Sequence, residues 1–176
     1  MRKLKLDELN RASVAEFKTQ QKLPVVVVLD NVRSMHNIGS IFRTADGFSV
    51  TQICLCGITA QPPHRDIEKT ALGATQSVDW AYFETPVAAI KNLRDNGYKI
   101  IAVEQAENSV MLNEFAPKQT EKYALIFGNE VDGVSDEAMQ QIDACIEIPQ
   151  FGVKHSLNIG ISAGIVLWDF FAKLRL

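Results

Sequence analysis

The chain has 176 residues, 47% of them hydrophobic and 22% charged, with a formal net charge of −3. That length and balance suit one packed α/β-sized domain with a real core and exclude a disordered or low-complexity chain. The longest apolar stretch, Ile159 to Phe171, is interrupted by Ser162 and Asp169 and falls short of the about 20 residues a membrane helix needs. No apolar signal core follows the basic start at Arg2 and Lys3, so a cytoplasmic protein is expected.

Residues 7–19 carry Leu9, Val14, Ala15 and Phe17 at helical spacing, which predicts one amphipathic helix. Four consecutive valines, Val25 to Val28, follow Pro24. A run of that kind predicts a strand covered on both faces, and hence a parallel sheet between helices. Residues 37–48 are predicted helical, Val50 to Cys56 a strand, 66–72 a short helix and Val78 to Phe83 a strand. Thr85 and Pro86 open the next helix as cap and first residue, and Gly97 ends it. Strands are predicted at Tyr98 to Val103, Tyr123 to Phe127 and Ala144 to Ile148. Ser135 caps a short acidic helix, 108–120 is a loop, and the last helix covers 157–174. Strands alternating with helices specify an α/β domain with a mostly parallel sheet flanked by helices. Residues 1–22 are set apart as a basic, helical N-terminal segment before a domain at 23–176.

Cys54, Cys56 and Cys145 are too few and too odd in number for a disulfide framework. Only His64 stands near the first two, so no metal site is expected and the thiols are assigned to the core. Net charge does not point to nucleic acid, but Arg2, Lys3, Lys5 and Arg11 cluster near the start, and His64, Arg65 and Lys69 cluster mid-chain.

In open parallel sheets, ligands bind beyond the carboxyl ends of the strands. Three polar loops follow predicted strands. The first holds Asn37, Gly39 and Arg43, with Asn37 as a candidate cap. The second is Phe127-Gly128-Asn129-Glu130-Val131-Asp132-Gly133, whose glycines imply a tight turn or close ligand approach. Val134 stands where a phosphate-binding loop requires lysine, and no GxGxxG is present, so NTPase and dinucleotide-oxidoreductase readings fail. The third runs from Ile148-Pro149 to Ser156-Leu157-Asn158, with Ser156 as predicted cap and Gly160, Ser162, Ala163 and Gly164 giving a small-sided helix start. Taken singly, each loop has an ordinary explanation as a surface arginine, a glycine turn or tight packing.

Together the three loops resemble the motifs of SpoU/TrmH-type RNA 2′-O-ribose methyltransferases of the SPOUT superfamily. The matching residues are Asn37, Gly39 and Arg43-Thr44-Ala45; then Phe127-Gly128 with Glu130 and Gly133; then Ile148-Pro149 with Ser156-Leu157-Asn158. The chain departs mildly at Met35-His36 and at Ile159 to Ser162. The resemblance implies a C-terminal trefoil knot, a homodimer, S-adenosyl-L-methionine as cofactor, and tRNA or rRNA as substrate. It implies that Val103, Gly128, Ile148, Ser156 and Leu157 hold the cofactor. It also implies a catalytic group of Arg43, Asn37, Glu130, Ser156 and Asn158, in which Arg43 acts as a base or stabilises an alkoxide and Glu130 positions Arg43 or nearby backbone. His36 and His155 are placed to contact RNA. The competing reading is an inactive RNA-binding or ribosome-assembly factor with the same fold, against which these intact polar residues argue.

Overall fold

The computed structural model describes residues 1–9, 11–154 and 156–176. The predicted helical residue Asn10 and the predicted RNA contact His155 lie outside them. Seven strands form one wholly parallel sheet: β1 Leu23–Asp30, β2 Val50–Cys56, β3 Trp80–Phe83, β4 Tyr98–Val103, β5 Val110–Met111, β6 Lys122–Phe127 and β7 Ala144–Glu147. Their order across the sheet is β3-β2-β1-β6-β4-β7-β5. The helices are α1 Val14–Thr19, α2 Met35–Gly47, α3 Arg65–Ala71, α4 Ala74–Ser77, α5 Pro86–Asp95, α6 Asp136–Met139 and α7 Ile159–Arg175.

The valine strand behaves as its composition requires. Alternate side chains of a strand point to opposite faces. Val25, Val27 and Leu29 join one core with Ile38, Phe42, Leu167 and Phe170 from α2 and α7. Val26 and Val28 join a second core with Ile90, Leu93 and Ala138 from α5 and α6. Cys54 and Cys56 share that second face, and burial pushes the Cys54 thiol up to about 12. Cys56 is pushed higher still, with burial first among the causes and the nearby Cys54 and Asp30 adding to it. Both thiols are therefore protonated, inert packing groups, as the cysteine count implied. Among the described residues no cluster of His, Cys, Asp or Glu is suited to a metal ion, and no helix is long and apolar enough to cross a membrane.

Several elements differ from their predicted form. The expected single helix over 7–19 is a 3-10 turn at Leu6–Leu9 and then α1. Ser13 starts α1 afresh through a capping box with Glu16, which satisfies two orphan backbone donors locally. Phe17 then packs into the main core. Helix α2 is capped by Ser34, whose hydroxyl accepts from the Asn37 amide, so Asn37 is not the cap. Helix α7 is capped two residues later than expected, by Asn158, whose Oδ1 accepts from Gly160 and Ile161. Ser135 precedes α6, but its hydroxyl donates to Asp30 rather than capping the helix. The loop at 108–120 contributes the two-residue edge strand β5. Helix α4 occupies residues expected to lead directly into β3.

One feature of the order governs the site. After β4 the chain runs out to the edge strand β5 and returns to form β6 on the other side of β4. Strand β7 then enters between β4 and β5, inside the earlier excursion. Helix α7 clasps that excursion, because Lys173 donates to the carbonyls of Leu112 and Phe115 at 2.7 and 2.8 Å.

Candidate active site

The carboxyl ends of β6, β4 and β7 lie side by side, and a cleft of about 470 Å³ opens over them. Val103 ends β4, Phe127 ends β6 and Glu147 ends β7, and all three line it. The remaining walls come from the loop after β6 and from the segment that enters α7.

The loop after β6 is folded back on itself. Asn129 and Gly133 exchange backbone hydrogen bonds of 3.0 and 3.2 Å, and the Asn129 side chain accepts from the Val131 and Asp132 amides. A methyl group at Gly128 would overlap the Gly133 carbonyl and the Val134 nitrogen, so the glycine serves this tight fold. Gly133 has a φ of +70°, the left-handed region that favours glycine. Two carboxylates from strand ends clamp the loop. Glu104, just after β4, accepts from the Val134 amide at 3.1 Å. Asp30, at the end of β1 and 1% exposed, accepts from both the amide and the hydroxyl of Ser135. Sequence reasoning assigned a role to neither Glu104 nor Asp30.

A second set of bonds joins the three polar loops. Glu130 accepts from the backbone amides of Arg33 and Ser34, each at 3.3 Å, and from the Asn37 side chain at 3.1 Å. Asn37 in turn accepts from the Asn158 side chain at 3.2 Å. Glu130 and Asn158 both line the cleft, so this relay runs along its rim. At Gly160 the helices α2 and α7 come close. A Cβ there would stand 3.7 Å from Ser40 and 3.8 Å from Asn37.

Val103, Gly128, Ile148, Ser156 and Leu157, the five predicted cofactor residues, all line the cleft. Of the predicted catalytic group, Glu130, Ser156 and Asn158 line it, and Asn37 touches it through Asn158. Arg43 does not line it. It is exposed on α2, and no hydrogen bond or ion pair holds it among the described residues. Within the chain Glu130 bonds to the loop backbone and to Asn37, and Arg43 is not among its described hydrogen-bond partners. The sequence shows that these residues belong to three motifs but not which of them a single chain brings within reach.

The model of the SpoU rRNA methylase family matches residues 24–168. A putative TrmH family tRNA/rRNA methyltransferase of Staphylococcus saprophyticus is 32% identical over 92% of this chain and 64% of its own length. A tRNA (guanosine(18)-2′-O)-methyltransferase of Aquifex aeolicus is 30% identical over 88% of this chain and 72% of its own. Among solved structures, an AdoMet-bound rRNA methyltransferase from Sinorhizobium meliloti superimposes with a TM-score of 0.81 at 29% identity. That superposition covers 89% of this chain and 59% of the other.

The Glu130 carboxyl gives this arrangement a pH signature. Burial pushes its pKa up, but the backbone donors and the Asn37 amide outweigh burial and hold it below the usual carboxylate value. A carboxylate depressed on folding contributes stability above its unfolded pKa of about 4.3 and loses it as pH falls through the folded value. The stability gap between wild type and Glu130→Gln, read by urea unfolding, is therefore expected to stay constant from about pH 8 to 5 and to shrink below about 4.5. A gap unchanged down to acid pH would contradict this role of the charge.

Proposed function

The chain belongs to the SpoU rRNA methylase family, and we propose that it transfers a methyl group from S-adenosylmethionine to a ribose 2′-hydroxyl in tRNA or rRNA. The observation that carries the proposal is the cleft over β6, β4 and β7, in which residues from the second and third motifs meet, with the first tied to its rim.

The residues present fit the cofactor. The cleft volume lies in the range of pockets for small organic ligands, about 300–1,000 Å³. Val103, Phe127, Ile148 and Leu157 supply apolar wall for a purine, and Gln105 and Gln150 supply polar groups beside them. The first turn of α7 opens into the cleft; its Gly160 and Ile161 amides are taken up by the Asn158 cap, so what it offers a carboxylate is the positive end of the helix dipole. Glu104, Glu130, Asp132 and Glu147 suit the positive charges of a sulfonium and an ammonium. S-adenosylmethionine supplies an already activated methyl group. The chain's task is alignment, exclusion of water and charge stabilisation at the attacking oxygen. Ser156, Asn158 and Asn37 are the groups assigned to orient the ribose.

Arg43 is assigned to the substrate oxygen. Neutral guanidine is costly at a pKa above about 12, so stabilising the developing alkoxide is the simpler of its two roles. Its distance from its own cleft fits a homodimer. Ile161, Ile165 and Trp168 form an exposed apolar stripe along α7, with the Trp168 ring tilted against Phe48 at the end of α2. Arg43 lies one turn beyond Ser40, next to the line where α2 meets α7. A second copy seated on this face brings Arg43 to the subunit boundary.

Residues 23–176 are proposed as the methyltransferase domain, with 1–22 as a basic arm toward RNA. The chain is proposed to act in the cytoplasm, where tRNA and rRNA are found. A trefoil knot is also proposed, supported by β7 entering inside the β5 excursion.

With methyl-labelled S-adenosylmethionine and cellular tRNA or rRNA, nucleoside digestion is expected to yield a 2′-O-methyl nucleoside. Arg43→Ala is expected to lower turnover about 100-fold or more while cofactor affinity holds. Label on a base, or label on no RNA, would overturn the reading. Light scattering at micromolar concentration is expected to give twice the monomer mass, and a monomer mass at every concentration contradicts the dimer.

A further inference from the structure

The cleft is one-sided in charge. Four carboxylates line it, and among the described residues no lysine or arginine does. Such a lining attracts a cationic cofactor and repels the phosphates that flank any ribose in RNA. The substrate backbone therefore needs a cation at the rim, outside the carboxylates but within reach of them.

Arg33 occupies that place. It sits in the loop between β1 and α2, and its backbone amide donates to Glu130, itself a lining residue, at 3.3 Å. The carboxylate of Glu130 is already engaged by Arg33 N, Ser34 N and the Asn37 side chain. Its acceptor capacity goes to the loop, and the Arg33 guanidinium is not bound to it. Arg33 is exposed, and among the described residues its side chain makes no hydrogen bond and no ion pair. The charge pairs of the molecule lie elsewhere, for example Arg94–Asp143 and Lys173–Asp169. The result is a backbone tied to the cleft rim through Glu130 and an exposed, unpaired planar cation carried on that tethered loop.

We infer that Arg33 binds a phosphate of the RNA backbone and thereby seats the target ribose at the cleft. A guanidinium offers two parallel N–H donors to phosphate oxygens, a geometry that lysine does not reproduce. Arg33 acts here as a binding residue, so its loss weakens substrate and transition state alike, raising KM and leaving kcat.

This inference rests on the reading of the chain as an RNA methyltransferase, and the test separates the two. Methylation of unfractionated tRNA and rRNA is measured for wild type, Arg33→Ala and Arg33→Lys, with RNA affinity followed by fluorescence anisotropy across a salt series. Arg33→Ala is expected to raise the RNA KM about tenfold. Its kcat and S-adenosylmethionine affinity are expected to stay as in wild type. The slope of log affinity against log salt should fall by about 0.7 to 0.9, the value of one phosphate contact. Arg33→Lys should restore the slope and only part of the affinity. If wild type methylates RNA while Arg33→Ala keeps the same KM and slope, the Arg33 assignment falls and the function stands. If wild type neither binds nor methylates either RNA, both fall. A changed oligomeric mass with unchanged RNA affinity would make Arg33 an interface residue and overturn its phosphate role.

Discussion

The site depends on a short line of hydrogen bonds, Glu130 to Asn37 to Asn158. Each partner comes from a different segment, the first turn of α2 holding Asn37, with Glu130 and Asn158 lying 93 and 121 residues away from it in sequence. Such contacts carry a large closure entropy and form only when the sheet has already brought the loops together. The carboxylate also fixes the backbone that precedes α2, while Asn158 fixes the first turn of α7. One charged acceptor thus sets the relative position of two helix starts at the edge of the cleft.

The rest of the site follows from the clamps on the loop after β6. Asp30 and Glu104 hold its far end from two different strands, so the loop is tethered without a packed side-chain core of its own. Rigid walls are what alignment of a methyl donor and an attacking oxygen require. Glu104 also faces the cleft, where with Glu130, Asp132 and Glu147 it makes the lining electronegative, which suits the proposed cationic cofactor and, on the proposed function, leaves the RNA backbone to the exposed arginines of the β1–α2 region.

Much of this was legible from residue types alone, because it rests on local rules. The valine run foretold a strand buried on both faces, and its alternate residues do enter two cores. Thr85 and Pro86 foretold the start of α5, and the Thr85 hydroxyl accepts from Ala88 as a cap should. The misses share a physical cause. Ser156 and Asn158 are both good caps, and propensity does not choose between them. Helix α4 has four residues and no side-chain cap bond, so it leaves almost no local signal. Asp30 earns its role from Ser135, 105 residues away, which no periodicity reveals. Arg43 belongs to the motif in sequence yet stands outside the cleft that the other residues form.

The central claim is that the asparagine relay couples the helix starts, and a double-mutant cycle on stability tests it most directly. Asn37→Ala removes the middle partner. Asn158→Ser keeps a competent cap on α7 but loses the amide that reaches Asn37. Measured by urea unfolding at neutral pH, the two changes are expected to be non-additive by about 0.5 to 1.5 kcal/mol. Additivity to within about 0.3 kcal/mol would show that the two asparagines act independently and would contradict the account.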